Sequence, residues 1–360
     1  MLPRESSVTP DAASQDAPDR DQIERSLARA LAFLEHRQLP TGEFRVLAWD
    51  PYLPGGCIVD PSVFPTALIA QALSSCPAAD GLCDRAQRFL LGEMDRHELW
   101  RHWSRENPRH RELPPDLDDT SCAAAFLSKR GVALGSNREL MLANRDRDGL
   151  FFTWITPRLR WTPRRHRKVA LAQLRHIPTL YMFFTRTAAA PYDVDAAVNA
   201  NCLFYLGEFD GRDRIENHLV ELLRAGRETS CDKWYDNPFI IWYFFSRALT
   251  GPAFAETAAA IIAERLAEAR PANALEVALA ICGRLNCGRP VPAGLLASLL
   301  AAQTPSGGWP LAAFYSGGRA KLGDGSFAQT RPDMTRWGSE ELTTGLCVEA
   351  LSRSLQVSAE

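Results

Sequence analysis

The chain has 360 residues, of which 46% are hydrophobic, and a formal net charge of −2. This charge balance excludes a strongly basic nucleic-acid-binding protein, and no apolar run approaches the roughly 20 residues that span a bilayer. Nine cysteines occur without CxxC spacing, which favours reduced thiols over a disulfide framework or a zinc site. Residues 1–20 are polar and lack the apolar stretch of a signal peptide, so we expect a disordered tail on a cytoplasmic protein.

Two kinds of predicted helix alternate from Asp21 onward. Helices of the first kind carry one apolar stripe and should lie on the outside of a core: Asp21–Gln38, Leu82–Arg96, Asn137–Arg145, Arg212–Ala225, Phe254–Ala269 and Val291–Gln303. Helices of the second kind are apolar nearly all round and should be inner helices: Pro61–Ser75, Asp116–Lys129, Asp193–Gly207, Asn237–Leu249, Ala272–Leu285 and Gly338–Leu355. Six inner helices ringed by six outer ones predict an all-α fold, a single (α/α)6 barrel over residues 21–355.

The connections between these helices differ in length. Links from inner to outer helices are short, whereas links from outer to inner helices are mostly long. Short links join antiparallel neighbours, so the six inner helices should run parallel and begin at the same end of the barrel. The long loops should gather at that end, which is where a rigid scaffold usually carries its function.

Three carboxylates begin the second inner helix, in the stretch LPPDLDDTSC. Asp116 could be the N-cap and Asp119, three residues on, its capping-box partner, which leaves Asp118 over beside the expected barrel cavity. All three acids would then have structural roles if Asp118 were merely another helix-end carboxylate. Alternatively, clustered and buried acids oppose one another's ionisation and retain a proton at rest. Such a group is suited to protonating a carbon–carbon double bond or an epoxide.

The stretch Asp116-Leu117-Asp118-Asp119-Thr120 resembles the DxDD(T) signature of class II terpene cyclases, the relatives of squalene–hopene cyclase. The resemblance implies that Asp118 delivers the initiating proton, and that Asp116 and Asp119 tune and reprotonate it. Squalene–hopene cyclases carry two barrels, whereas this chain is predicted to hold one. The chain is therefore more similar to the single-domain cyclases that act on meroterpenoid substrates. The histidine that hydrogen-bonds the acid in the squalene–hopene group is not identified from the sequence. The chain also lacks the class I motif DDxxD, so ionisation of a diphosphate is not expected.

The resemblance extends to two degenerate repeats of the family, in which Gln is followed by Gly-x-aromatic at the end of an outer helix. The first repeat contains Gln38, Gly42 and Phe44. The second contains Gln303, Gly307 and Trp309.

Further candidate site residues lie at the starts of other inner helices and in the long loops. Buried amides need partners, so Asn199 and Asn201 either orient Asp118, bind a polar group of the substrate, or make structural hydrogen bonds. Asp195, which shares a helix face with Asn199, is a further candidate for substrate binding, with helix capping as its alternative. Aromatic faces stabilise cations, and we therefore expect substrate contacts from Trp154, Tyr235, Phe239 and Trp337. Aromatic side chains in buried helices are also ordinary core packing, which is the alternative for each of them.

The segment 146–192 is a basic and apolar insertion. Residues 158–184 could contact an anionic membrane surface, clamp a diphosphate or carboxylate, or form a solvated excursion over the barrel mouth. We predict a small-molecule isoprenoid substrate, no nucleic-acid partner, no metal ligands and no cofactor, with Mg²⁺ needed only for a diphosphate substrate.

The predicted activity is that of a terpene cyclase, an intramolecular lyase or isomerase. A protein prenyltransferase-like barrel is an alternative, although it needs a zinc site of Asp, Cys and His for which no convincing trio is found. A carbohydrate-active barrel would also use paired carboxylates. A non-catalytic isoprenoid-binding barrel would retain the acids as helix caps.

Overall fold

The computed structural model describes residues 18–52, 54–156, 167–169, 171 and 177–357. Most of the predicted N-terminal tail and of the basic part of the insertion lies outside these residues. The outer helices are α1 (Arg20–Arg37), α3 (Asp80–Glu93), α5 (Ser136–Ala143), α8 (Arg212–Arg224), α10 (Ala255–Glu268) and α12 (Ala293–Ala301). The inner helices are α2 (Val63–Leu73), α4 (Leu117–Lys129), α7 (Ala196–Leu206), α9 (Pro238–Ala248), α11 (Ala274–Asn286) and α13 (Glu340–Val357). A further helix, α6 (Ile177–Arg186), belongs to the insertion.

The inner helices form a closed ring. Helix α2 packs against α4 and α13, and the ring continues from α4 through α7, α9 and α11 back to α13. Nearly every residue of α2 and α7 is buried, whereas α8 buries one stripe and exposes the other face. This is the predicted (α/α)6 barrel. The inner helices are apolar nearly all round, so they are stable only where other helices cover them on every side, and the barrel provides that cover.

Local sequence determines where several helices begin. Asp19 caps α1 through a capping box with Gln22. Asn237 and Asn273 accept hydrogen bonds from the first turns of α9 and α11. Each side chain satisfies an N–H group that the helix itself leaves without a partner.

The two predicted repeats make the same hydrogen bonds. The side-chain amide of Gln38 donates to the carbonyl of Gly42 and to that of Leu82 at the start of α3. Gln303 donates likewise to Gly307 and to Ser26 in α1. Each repeat therefore ties the end of one outer helix to the next outer helix.

Both repeats also require glycine at one position. Gly42 and Gly307 have φ of 93° and 95°, where a residue with a side chain is strained. A Cβ atom at either position would overlap a backbone carbonyl oxygen of the neighbouring outer helix, at Arg85 or Arg29 respectively. The close approach of chain and helix thus explains why the repeats contain glycine.

A small sheet, which the sequence did not indicate, joins the first long loop to the last. Strands β1 (Leu47–Trp49) and β2 (Cys57–Val59) precede α2, and β3 (Tyr315–Ser316) and β4 (Arg336–Gly338) precede α13. The order is β2-β1-β4-β3, all antiparallel, with Ala48 opposite Trp337 and Tyr315 also opposite Trp337. The sheet lies at the end of the barrel where the inner helices begin. Among the helices that the structure describes, none has the length and apolar content to cross a membrane.

Candidate active site

A cavity of about 750 Å³ lies at the end of the barrel where the inner helices begin. Its walls come from the long loops, the small sheet and helices α2, α4, α6 and α7. Aromatic rings form much of the lining, from Phe64, Trp103, Trp154, Trp234, Tyr235, Tyr315 and Trp337. All three carboxylates of the DxDD stretch also line it. The cavity is of a size that takes a small molecule, and it brings acid groups and ring faces together.

Asp118 is held by two side chains from other elements. Its Oδ1 accepts a hydrogen bond from Nδ2 of Asn201 in α7, at 2.6 Å, and its Oδ2 accepts one from the hydroxyl of Tyr235, also at 2.6 Å. Burial raises the pKa of Asp118 to about 6, although these two hydrogen bonds lower it by favouring the ionised form. The nearby charge of Asp116 raises it further. The result is a partly buried carboxyl that faces the cavity and keeps its proton to higher pH than an ordinary aspartate.

Asp116 and Asp119 form a buried carboxyl pair behind it. Asp116 is the N-cap of α4, and its Oδ1 accepts the N–H of Asp119 at 2.8 Å, as predicted. The predicted reciprocal half of the capping box does not form, because the N–H of Asp116 donates to the carbonyl of Trp100 instead. One oxygen of each carboxyl, Oδ2 of Asp116 and Oδ1 of Asp119, is buried without a described hydrogen-bond partner.

This pair favours the retention of a proton. Burial and the charge of Asp119 raise the pKa of Asp116 well above its ordinary value. Burial raises the pKa of Asp119 to about 7. Two close carboxyls in an apolar setting cannot both ionise cheaply, so the cluster holds protons at neutral pH.

His102 joins the cluster, and sequence reasoning did not find it. Its Nδ1 lies 3.8 Å from Oδ2 of Asp119, and burial lowers the pKa of the imidazole. The loop before α4 brings it there, because the carbonyl of His102 accepts the N–H of Val63 at the start of α2. No local pattern marks the residue; its position depends on pairing between two loops.

Two cavity indoles are anchored on one carboxylate that the sequence analysis also missed. Oδ2 of Asp60 accepts Nε1 of Trp103 at 3.0 Å and Nε1 of Trp337 at 2.8 Å. The ring of Trp337 stacks on that of Tyr315 with centroids 5.3 Å apart and planes at 10°. Asp60 thereby fixes the orientation of two rings in the cavity wall. Its Oδ1 accepts from the side-chain amide of Asn107.

The other predicted aromatic contacts are placed in different surroundings. Trp154 lines the cavity, and its indole N–H donates to Asp193 at 3.4 Å. Tyr235 lines it through the contact with Asp118 already described. Phe239 is instead packed inside α9, with its ring 5.2 Å from that of Trp242, and it is not part of the cavity lining. These surroundings agree with core packing, the alternative for this residue.

The polar residues predicted at the start of α7 separate into two groups. Asn201 reaches Asp118, whereas Asn199 is used by the backbone of Phe151, which it contacts as both acceptor at 2.8 Å and donor at 3.1 Å. Asp195 accepts from the hydroxyl of Thr153 at 2.6 Å, and burial together with the charge of Asp232 raises its pKa to about 7. Neither Asn199 nor Asp195 lines the cavity, and their hydrogen bonds are those of the structural alternative.

The role of Asn199 recurs around the barrel. The hydroxyl oxygens of three threonines in inner helices accept the backbone N–H of an aromatic residue in a preceding loop, in the pairs Thr66–Phe44, Thr120–Trp100 and Thr344–Trp309. Asn199 does the same for Phe151, at a position of α7 that corresponds to Thr66 in α2. This repetition of a polar residue one turn into an inner helix is the signal that could have identified Asn199 as structural. Among the described residues, no group of three or more His, Cys, Asp or Glu side chains is arranged to hold a metal ion.

Comparison with known proteins shows similarity in structure without a match in sequence. No family model matches the chain, and no curated protein sequence matches it. A crystal structure of a protein from Actinoplanes has a TM-score of 0.62 and 19% identity, with 93% of this chain and 99% of that one covered. The type II terpene cyclase MstE from Scytonema has a TM-score of 0.65 and 15% identity over 94% of this chain and 99% of its own.

A longer neighbour matches over half of its length. An ent-copalyl diphosphate synthase from Streptomyces platensis has a TM-score of 0.52 and 17% identity, and the match covers 81% of this chain and 50% of that enzyme. At these identities the likeness concerns the fold. The resemblance predicted from the DxDD stretch is thus confirmed at that level: the chain has the fold of the type II, or class II, terpene cyclases.

Proposed function

We propose that this protein is a class II terpene cyclase, in which Asp118 protonates a linear isoprenoid or prenylated substrate and starts its cyclisation. The observation that carries the proposal is the acid itself. Asp118 combines a pKa raised to about 6 with a position in the wall of a cavity whose other walls are largely aromatic. A general acid works best when its pKa lies near the pH at which it operates.

The reaction follows from these groups. The π electrons of a terminal alkene take the proton of Asp118, which forms a C–H bond and leaves a carboxylate and a tertiary cation; an epoxide would instead be opened by protonation of its oxygen. Further double bonds attack the cation and close rings, while the ring faces of Trp103, Tyr315 and Trp337 stabilise the moving charge. Loss of a proton or capture of water ends the sequence.

The acid must recover a proton after each turnover. We assign this role to Asp116, Asp119 and His102, because they form a continuous titratable cluster beside Asp118 that retains protons at neutral pH. When the cyclised cation loses a proton, the cluster and Asp118 together accept it, and the net reaction is an isomerisation. Neither a metal nor an organic cofactor is required in this scheme, and Mg²⁺ would enter only with a diphosphate substrate.

The substrate class is proposed from the outer part of the cavity. A variant of MstE has been determined in complex with geranylgeranyl dihydroxybenzoate, described as its substrate, and another with merosterolic acid A, its product. In this chain two exposed arginines, Arg109 and Arg186, belong to the lining. They would suit a prenylated substrate whose head group carries a carboxylate or phosphate.

Contact with a membrane surface is a further part of the proposal. Helix α6 lines the cavity through Met182 and Phe183. On the same helix, Ile177 and Tyr181 have 51% and 67% of their surface exposed to solvent. Arg167 and Lys168, which precede it, are also exposed. An apolar helix face with nearby basic residues suits binding to anionic lipid, from which an isoprenoid could enter. Co-sedimentation with vesicles containing phosphatidylserine should be weakened by Y181S; equal sedimentation of both proteins would contradict the contact.

The decisive experiment compares Asp118→Asn with a matched control. Asp213 is the second residue of α8, as Asp118 is of α4, but it is exposed and outside the cavity. Purified proteins are incubated with polyprenyl alcohols, polyprenyl diphosphates and prenylated aromatic acids, and the products are identified by mass spectrometry. We expect cyclic product from the wild type and D213N, and none from folded D118N.

Four outcomes would contradict the proposal in different ways. Full turnover by D118N would remove Asp118 from the mechanism. Tight binding of an isoprenoid without any product would favour a binding barrel. Transfer of a prenyl group to a peptide, or cleavage of an oligosaccharide, would favour the other two alternatives.

A further inference from the structure

Arg247 lies behind the acid, on the side away from the cavity. Its Nη2 donates to Oδ1 of Asn201 at 2.6 Å, and its Nη1 donates to Oε1 of Gln71 at 2.9 Å. The guanidinium carbon lies 4.5 Å from the ring centroid of Phe204 and 4.8 Å from that of Phe244. Ring faces on more than one side hold the planar group in place. Arg247 is not among the residues that line the cavity.

This contact determines which way the Asn201 amide points. A guanidinium has only donors, so the group of Asn201 that faces Arg247 must be its oxygen. The amide nitrogen then faces Oδ1 of Asp118, at 2.6 Å. Without Arg247 the amide could rotate by half a turn and present an acceptor to the acid.

The orientation of the amide has a consequence for the acid's proton. In a neutral carboxyl group the carbonyl oxygen is a better acceptor than the hydroxyl oxygen. Oδ1 of Asp118 faces an amide N–H group, which can only donate, whereas Oδ2 faces the Tyr235 hydroxyl, which donates to a carboxylate and can turn to accept from a protonated oxygen. In the neutral acid Oδ1 is therefore the carbonyl oxygen, and the proton belongs on Oδ2. Oδ2 lies 2.6 Å from the hydroxyl of Tyr235, which is part of the cavity wall.

We propose that Arg247 is a positioning residue that acts on Asp118 through Asn201: it fixes the amide so that the acidic proton sits on Oδ2, on the cavity side, and so that the carboxylate left after proton transfer receives a polarised N–H group. The inference rests on the proposed function, in which Asp118 is the acid. Arg247 itself is not a proton donor, since a guanidinium does not deprotonate in proteins. The proton must therefore return to Asp118 from the side of Oδ2.

No described carboxylate neutralises the charge of Arg247, because its described polar neighbours are neutral. They are the amides of Asn201 and Gln71, the phenol of Tyr243 and the thiol of Cys122. The charge therefore acts on Asn201 and, through it, on Asp118. A positive group that donates into the amide oxygen strengthens the amide N–H as a donor. The titratable groups that act on Asp118 or are acted on by it belong to several elements: Asp116, Asp119 and Cys122 of α4, Asp195 and Cys202 at α7, and His102, Asp232, Tyr235 and Tyr315 of the loops.

The test follows the Asp118 carboxyl directly. Protein labelled with ¹³C at aspartate side chains is titrated without substrate, and the Asp118 signal is assigned by its absence from D118N. We expect R247M and N201L each to raise the titration midpoint, by about one pH unit, which corresponds to a tenfold change in acidity. The double variant should shift it no further than N201L alone, because Arg247 acts through Asn201.

Kinetics give a second readout that a purely structural role would not produce. In R247M, kcat should fall by about tenfold, while KM stays within about twofold because the residue does not contact substrate. An unchanged midpoint in folded R247M would overturn the inference, as would shifts that add in the double variant.

Two further variants keep the test decisive. If R247M does not fold, R247K takes its place, because lysine retains a donor but lacks the planar stacking group. As a single variant R247K should shift the titration midpoint of Asp118, and in the N201L background it should cause no further shift. An equal effect of R247K in both backgrounds would overturn the inference. The titration needs no turnover, so its failure leaves the proposed function standing, whereas turnover by D118N refutes the proposed function whatever the titration shows.

Discussion

Replacement of Tyr235 by Phe should move the pH dependence of the reaction to higher pH. The hydroxyl donates to Oδ2 of Asp118 at 2.6 Å, and this hydrogen bond favours the ionised carboxylate. Its loss therefore raises the pKa of Asp118. Since the acid must be protonated to start the reaction, activity falls as pH rises through that pKa, and the limb moves upward with it.

The size of the shift follows from the strength of the bond. A hydrogen bond to a charged group contributes about 1.5–3 kcal/mol, and one pKa unit corresponds to about 1.4 kcal/mol, so the shift should be about 1–2 units. The wild-type limb should lie near the Asp118 pKa of about 6. In Y235F the plateau rate at low pH should also fall, because the carboxylate formed on proton transfer has lost a stabilising donor.

The assay measures kcat/KM from initial rates between about pH 5 and pH 9, which reports the ionisation of the free enzyme. Tyr205→Phe is a matched control: its hydroxyl donates to Asn137 at 2.7 Å, but it does not line the cavity. We expect the limb of Y205F to coincide with that of the wild type. A Y235F limb that stays in place or moves to lower pH would refute the reasoning.

Three further changes have distinct expected outcomes. In D60N, one carboxamide oxygen cannot serve both indoles and the amide of Asn107, so we expect a changed ratio of cyclic products by gas chromatography; an unchanged ratio would contradict the anchoring role of Asp60. In the folded wild type the pKa of Asp119 is about 7, against an ordinary value of 3.8, so the protonated Asp119 stabilises the fold at low pH and this stabilisation is lost as the pH rises through about 7. The side chain of D119N cannot ionise and has no such loss. The melting temperature of D119N relative to wild type should therefore be higher at pH 8 than at pH 5, and a difference that is constant with pH would contradict this. In T344V, the buried N–H of Trp309 loses its acceptor, which should lower the free energy of unfolding in urea by about 1–3 kcal/mol, against less than about 0.5 kcal/mol for the exposed control T229V; equal losses would contradict the role of the threonine.

The sequence by itself determined the barrel and singled out Asp118 as the candidate acid. Helix periodicity is local, so the alternation of striped and wholly apolar segments predicted inner helices such as α4 and α7 within a few residues of their observed bounds. The surplus of Asp118 over the needs of a cap could likewise be read from one turn of helix. Loop lengths were enough to predict that all the inner helices begin at one end.

The tertiary structure decided what surrounds that acid. Asp118 meets Tyr235 across 117 residues of sequence, Asn201 meets Arg247 across 46, and Asp60 meets Trp337 across 277. Such contacts follow from closure of the helix ring and from pairing between loops, and a periodic pattern carries no information about them. For the same reason Asn199 and Asn201, two residues apart, were indistinguishable as letters: helix rotation turns one toward the backbone of a loop and the other toward the acid.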